Sequence, residues 1–295
     1  MFDAIVAGGS YAGMAAALQL ARARRKVLVI DAGERRNRFA SSSHGFLTRD
    51  GETPGAIAAE AKEQLLAYPT VTWTEGKASK ATGRIDGFSV EVDGGRTHDA
   101  RRLVLATGIV DILPDVPGLA ERWGKTVFHC PYCHGYELNQ GRLGVLAVGP
   151  ISMHQALMLP DWGTTTLFTN GAFTPDEKEK AQLAARGVAI ETARVISVGG
   201  EQGISLGLED GREVALEGLF VAPRAEHASK LAHQIGCRME EGPLGSWVET
   251  DAMKATSVDG VFAAGDAARM AGSVTFAVAD GAMAGLAAHR SLMFG

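Results

Sequence analysis

Apolar residues in this chain come in short unbroken runs, each closed by a glycine-bearing turn and then by a segment with helical spacing. The first run, Asp3-Ala4-Ile5-Val6-Ala7, predicts a buried strand. A helix is expected from about Tyr11 to Arg24, then a second strand, Val27 to Ile30, ending in Asp31. Pro54 to Leu66 has the spacing of an amphipathic helix. Val71 to Glu75 and Phe88 to Val92 read as strands, and Arg102 to Leu105 as a strand closed by Ala106-Thr107-Gly108. Leu143 to Gly149 is again a buried strand ending in glycine, with a helix from about Ser152 to Leu159 and a strand over Thr164 to Thr169. A polar helix (Pro175 to Arg186) and short strands around 188–190, 194–198, 204–208, 213–216 and 218–222 follow. His227 and His233 are expected on one helix, six residues apart, a spacing unsuited to chelation, and both at the surface. Gly260 to Asp266 is a last strand, and Ser273 opens a helix running to about Leu292. Strands alternating with helices make this an α/β chain.

Four stations in this pattern carry chemistry. The first is Gly8-Gly9-Ser10-Tyr11-Ala12-Gly13, between strand and helix. Gly8 makes the turn and Gly13 lets helix and strand pack closely, as in a dinucleotide fingerprint. Ser10 replaces the middle glycine; its backbone N–H remains, and its hydroxyl can bond a phosphate oxygen. Asp31 stands where a carboxylate takes ribose hydroxyls. Ala106-Thr107-Gly108 is the second station, small enough for close approach to a nucleotide. The third is His129-Cys130-Pro131-Tyr132-Cys133-His134, two cysteines able to close a small redox-active ring, flanked by histidines able to move protons near neutral pH. Gly265-Asp266 is the fourth, followed by a helix start at Thr275-Phe276 whose free N–H groups suit a negative charge. Together they point to FAD beside a redox disulfide. The serine-rich loop from Arg35 to Thr48, with His44, has no clear period and is expected either over the flavin or as a surface loop.

The segment after Val148 is where a second dinucleotide loop belongs, but it reads Gly149-Pro150-Ile151-Ser152-Met153-His154 and keeps only its first glycine. The next strand ends at Asn170, with neither an acid for a ribose nor arginines for a 2′-phosphate. This half is expected to be structural rather than a nicotinamide site.

A length of 295 residues suits about two domains. A net charge of −5 with no long basic run argues against a nucleic-acid partner. Met1-Phe2-Asp3 leads straight into a strand and no apolar run is long enough to span a bilayer. A cytoplasmic protein without membrane attachment is therefore expected. Three cysteines are too few for a disulfide scaffold, and Cys237, alone, reads as an inert thiol. Zinc held by His129, Cys130, Cys133 and His134 is the competing reading, but four ligands within six residues are cramped for a tetrahedral ion, and no metal is expected.

In order and spacing the four stations resemble the thioredoxin reductase family of FAD-dependent disulfide oxidoreductases. The resemblance implies two Rossmann-like three-layer domains: an FAD domain split between residues 1–113 and 223–295, and an inserted domain, 114–222, carrying the cysteine pair beyond a Pro114/Pro117 linker. It implies a homodimer, Cys133 as the sulfur nearest the flavin and Cys130 as the one exchanging with substrate. Where ordinary members have an acid/base aspartate after the second cysteine, this chain has His134. That change, with the broken second loop, resembles the gliotoxin- and holomycin-type dithiol oxidases, which pass electrons from a small dithiol through FAD to oxygen. The alternative is a reductase of a protein disulfide, fed by NADPH or by a donor such as ferredoxin.

Overall fold

A computed structural model describes residues 1–200 and 203–295. The larger sheet is organised on Phe2–Ala7, flanked in parallel by Val27–Asp31 and Arg96–Leu105, with Val71–Glu75 outside Val27–Asp31. Arg96–Leu105 serves two neighbours in turn. Its first half pairs antiparallel with Gly87–Val92, which carries Ala78–Arg84 on its other edge. Its last three residues pair in parallel with Val261–Ala263, so distant parts of the chain close one sheet.

One face of this sheet is covered by the helices Tyr11–Arg22, Pro54–Leu66 and Val274–Phe294. The first and last approach closely because Gly281 and Gly285 lie against the backbone of Ala12 and Ala16, where any Cβ would overlap a carbonyl oxygen. Arg102, only 1% exposed, fastens the end of the last helix by donating to the Ser291 carbonyl and hydroxyl, each at 2.6 Å, and to Asp86 at 2.8 Å. The Ser291 carbonyl also accepts the Gly295 N–H at 3.2 Å, so Arg102 is its second donor and ties the helix end to the sheet.

The second sheet is wholly parallel, in the order Ala189–Glu191, Gly163–Phe168, Gln140–Leu146, Gly218–Val221 and Val127–Phe128. A three-stranded antiparallel sheet, Val195–Gly199, Ile204–Leu208 and Glu213–Leu216, shares its core. Ile109–Ile112 pairs antiparallel with Arg224–His227 in a two-stranded ribbon. These are the two Rossmann-like α/β sheets expected from the sequence, with the cysteine pair beside Val127–Phe128.

Three expectations need correcting. The first helix stops at Arg22, because Arg24 turns to a φ of 60°. The strand before Ala106 begins at Arg96, drawn out by its antiparallel partner. His227 and His233 do not share a helix: pairing with Ile109 holds His227 in the ribbon, and a short helix starts only at Leu231. The two rings meet edge to face at 5.9 Å, and His227 is half-buried, which lowers its pKa, rather than lying at the surface.

Candidate active site

The Gly8–Gly13 turn forms as its sequence requires. Gly8 takes a φ of +104°, and Gly13 stands against the Gly8 carbonyl with no room for a Cβ. Ser10 is the N-cap of the helix, yet its hydroxyl makes no capping bond, so the helix start opens unblocked on a cavity. Asp31 Oδ1 accepts from the Gly9 N–H at 3.1 Å, which ties the carboxylate at the end of the second strand to the loop.

Two adjoining cavities share a wall at Ser10, Arg36 and Thr107. One, about 420 Å³, runs past Gly8, Asp31 and Ala106. The other, about 230 Å³, is lined by Tyr11, Ala12, Gly108, Gly265 and Asp266 together with His129, Cys130, Cys133 and His134. The four sequence stations thus lie around one trough. Gly13 sits behind it. Thr275 and Phe276 do not line it: the Thr275 hydroxyl donates to Gly45 O at 2.9 Å, and the exposed Phe276 ring stacks under Arg269. Their neighbours Val274 and Ala277 line it instead.

Cys130 and Cys133 are joined in a disulfide, with Cα atoms 5.3 Å apart. Pro131 starts a single helical turn, Pro131–His134, that sets this spacing. The joined sulfurs are committed to each other rather than to a metal. His134 lies face to face with Phe128, ring centres 4.5 Å apart. Burial, then the neighbouring His44, pushes its pKa down to about 4, against an opposing pull from Glu137. The ring is therefore neutral at pH 7 and a weak proton acceptor. His129 is also depressed, by burial and then by Arg36; its Nδ1 lies 3.3 Å from Val221 O. The redox segment is held from behind by Gln155, which donates to His129 O at 2.7 Å from the helix Ser152–Met158.

The trough also contains groups the sequence did not single out. Arg36 donates to both oxygens of Asp111, at 2.5 and 2.9 Å, and to Asp266 at 3.0 Å. Burial opposes its charge, but the two carboxylates outweigh that and raise its pKa. Arg36 lies in an aperiodic loop with other arginines, so nothing in the pattern distinguished it. Asp111 carried a weak signal, an acid alternating with apolar residues in Ile109-Val110-Asp111-Ile112. Arg35 Nε and Asn37 Oδ1 are buried beside the trough without partners. Buried polar atoms left unpaired mark a place where a polar ligand belongs. An uncapped helix start, a glycine loop without room for side chains and these orphaned groups fit a dinucleotide.

A family model, pyridine nucleotide-disulphide oxidoreductase, matches residues 2–281. The chain belongs to this family. A solved oxidoreductase from Agrobacterium tumefaciens is 57% identical, with a TM-score of 0.97 over 99% of both chains. The solved HlmI is 36% identical, with a TM-score of 0.92 over 99% of this chain and 92% of its own. Thioredoxin reductase tcpT of Claviceps purpurea is 34% identical over 99% of this chain and 94% of its own length. The protein is thus an FAD-dependent disulfide oxidoreductase of the thioredoxin reductase superfamily. Among its described residues no helix is long and apolar enough to cross a membrane.

Proposed function

We propose that this oxidoreductase oxidises a small dithiol to a disulfide at Cys130–Cys133, with FAD along the trough and oxygen as final acceptor. The observation that carries the thiol–disulfide chemistry is that the disulfide lines the same cavity as Ser10, Tyr11 and Ala12 of the glycine loop. Gly8, Ser10, Asp31, Thr107 and Asp266 are the residues assigned to hold FAD, which supplies the two-electron carrier that returns the pair to the disulfide.

On the substrate side, a thiol gives up its proton and its thiolate attacks Cys130 Sγ. The Cys130–Cys133 bond breaks and Cys133 leaves as thiolate. The second substrate thiol, deprotonated in turn, attacks the substrate sulfur of the mixed disulfide and releases Cys130. Two electrons enter the cysteine pair and two protons leave the substrate.

The preference for a dithiol over a nicotinamide donor is supported by the second sheet. Ile151 and His154 occupy positions where a dinucleotide loop needs glycine, and the Ser152 hydroxyl accepts the Val148 N–H at 3.0 Å within the loop itself. At the end of the next strand, Asn170 Oδ1 accepts from Val195 N at 3.0 Å. A second reading, reduction of a protein disulfide with electrons from NADPH or another donor, is favoured by the name thioredoxin reductase borne by relatives such as tcpT. That support is broader than the loop alone supplies to the first reading.

Anaerobic mixing separates the two. Bleaching of the flavin band by a small dithiol, with no response to NADPH and recovery in air, is expected. Rapid bleaching by NADPH would overturn the dithiol reading in favour of the reductase. Cys130→Ser should keep bound flavin and lose turnover in either direction.

A further inference from the structure

His44 lies on the FAD-side loop, yet it lines the same cavity as Cys130, Cys133 and His134. The loop is firmly held. Ser43 N donates to Glu52 O at 2.8 Å, Gly45 N to Asp50 Oδ1 at 2.7 Å, and the Thr275 hydroxyl to Gly45 O at 2.9 Å. Each ring nitrogen of His44 faces a carboxylate: Nδ1 is 3.6 Å from Asp50 Oδ1, and Nε2 is 3.5 Å from Glu137 Oε1. The imidazole side chain is 18% exposed, while the Asp50 and Glu137 side chains are 68% and 44% exposed. Each ring nitrogen thus has a carboxylate within ion-pair range, and both carboxylates reach solvent.

The other two imidazoles at the disulfide lack this arrangement. His134 is pressed against Phe128, and His129 has Arg36 beside it, whose positive charge opposes a second one. Among the described residues only His44 has ring nitrogens within 4 Å of carboxylate oxygens.

We infer that His44 carries protons between the thiols exchanging at Cys130–Cys133 and solvent, passing them on through Glu137 and Asp50. Each thiol that attacks must first lose a proton, and with a thiol pKa near 8.5 only about 3% is ionised at pH 7. His44 takes that proton as the thiolate forms. The thiolate then opens the Cys130–Cys133 bond, with Cys133 leaving as thiolate, and the electrons end on the cysteine pair. The proton on His44 goes out through either carboxylate, or returns to a cysteine thiolate when exchange runs backwards. The groups facing the ring are Asp50 from its own loop and Glu137 and His134 from the redox segment. The inference rests on the reading that Cys130–Cys133 is the exchanging pair.

The test is a single anaerobic exchange of the holoprotein with dithiothreitol, quenched in acid and alkylated, with new thiols at Cys130 and Cys133 counted by mass. A general base is worth roughly 10²–10⁴ in rate, so His44→Ala is expected to be slower by at least about tenfold at pH 7. The deficit should close by pH 9, where thiols ionise unaided, and free imidazole should restore the rate at pH 7. Glu137→Gln, which keeps His44, should shift the pH profile in the same sense by a smaller factor. A wild-type protein that gains no thiol at these cysteines overturns the exchange reading and this inference with it. Normal wild-type exchange with His44→Ala unchanged, or slowed equally at every pH without rescue by imidazole, overturns the role of His44 alone.

Discussion

Lowering the pH should weaken this protein through His134 in particular. The ring titrates near 4 in the folded chain against an ordinary 6.5, because burial against Phe128 disfavours its charged form. Between those values the unfolded chain binds the proton and the folded chain does not, so stability falls as the pH falls through that window. Below about 4 both states are protonated and the loss is complete. Integrating from pH 7 to pH 5 gives about 2 kcal/mol of lost stability from this one ring. Urea unfolding of the wild type and of His134→Gln at both pH values isolates it, since His129 and His227, also depressed by burial, titrate in both proteins and cancel. The wild type should lose about 2 kcal/mol more than the variant between pH 7 and pH 5. Equal losses in the two proteins would refute the claim that His134 is held neutral by its surroundings.

Three further perturbations read other parts of the structure. Arg36→Leu leaves the Asp111 and Asp266 carboxylates without their shared cation, and should cost about 3 kcal/mol in chemical denaturation along with weaker flavin retention on gel filtration. Gly13→Ala drives a methyl group into the Gly8 carbonyl and should lose about 1–3 kcal/mol, with purified protein paler at the flavin band. Arg102→Met removes the buried donor to Ser291 and to Asp86 and should lower the urea midpoint by the equivalent of about 1–3 kcal/mol while leaving flavin content unchanged.

Much of the fold was readable because its signals are local. Pro54–Leu66, Val71–Glu75, Ile204–Leu208 and Glu213–Leu216 begin and end where the polar pattern places them. Ala78–Arg84 was not readable. Only Ala78 and Ala81 in it are buried, and a register shift between Ala78 and Lys80 breaks the alternation that marks a strand. Val127–Phe128 is too short to show any period. The ribbon of Ile109–Ile112 with Arg224–His227 depends on a partner more than a hundred residues away. The same division holds at the site. Glycine turns and the cysteine spacing are written in neighbouring residues, whereas Arg36 meets Asp111 and Asp266 across 75 and 230 positions.

The Gln155 bond to the His129 carbonyl changes what the Gly149–His154 turn answers to. The helix that follows this turn is a strut behind the redox segment. Substitutions around Ser152 would tilt that strut, and their effect would appear as a changed reduction potential of Cys130–Cys133. Residues in the turn would then answer to the electrochemistry of a disulfide the turn does not itself contain.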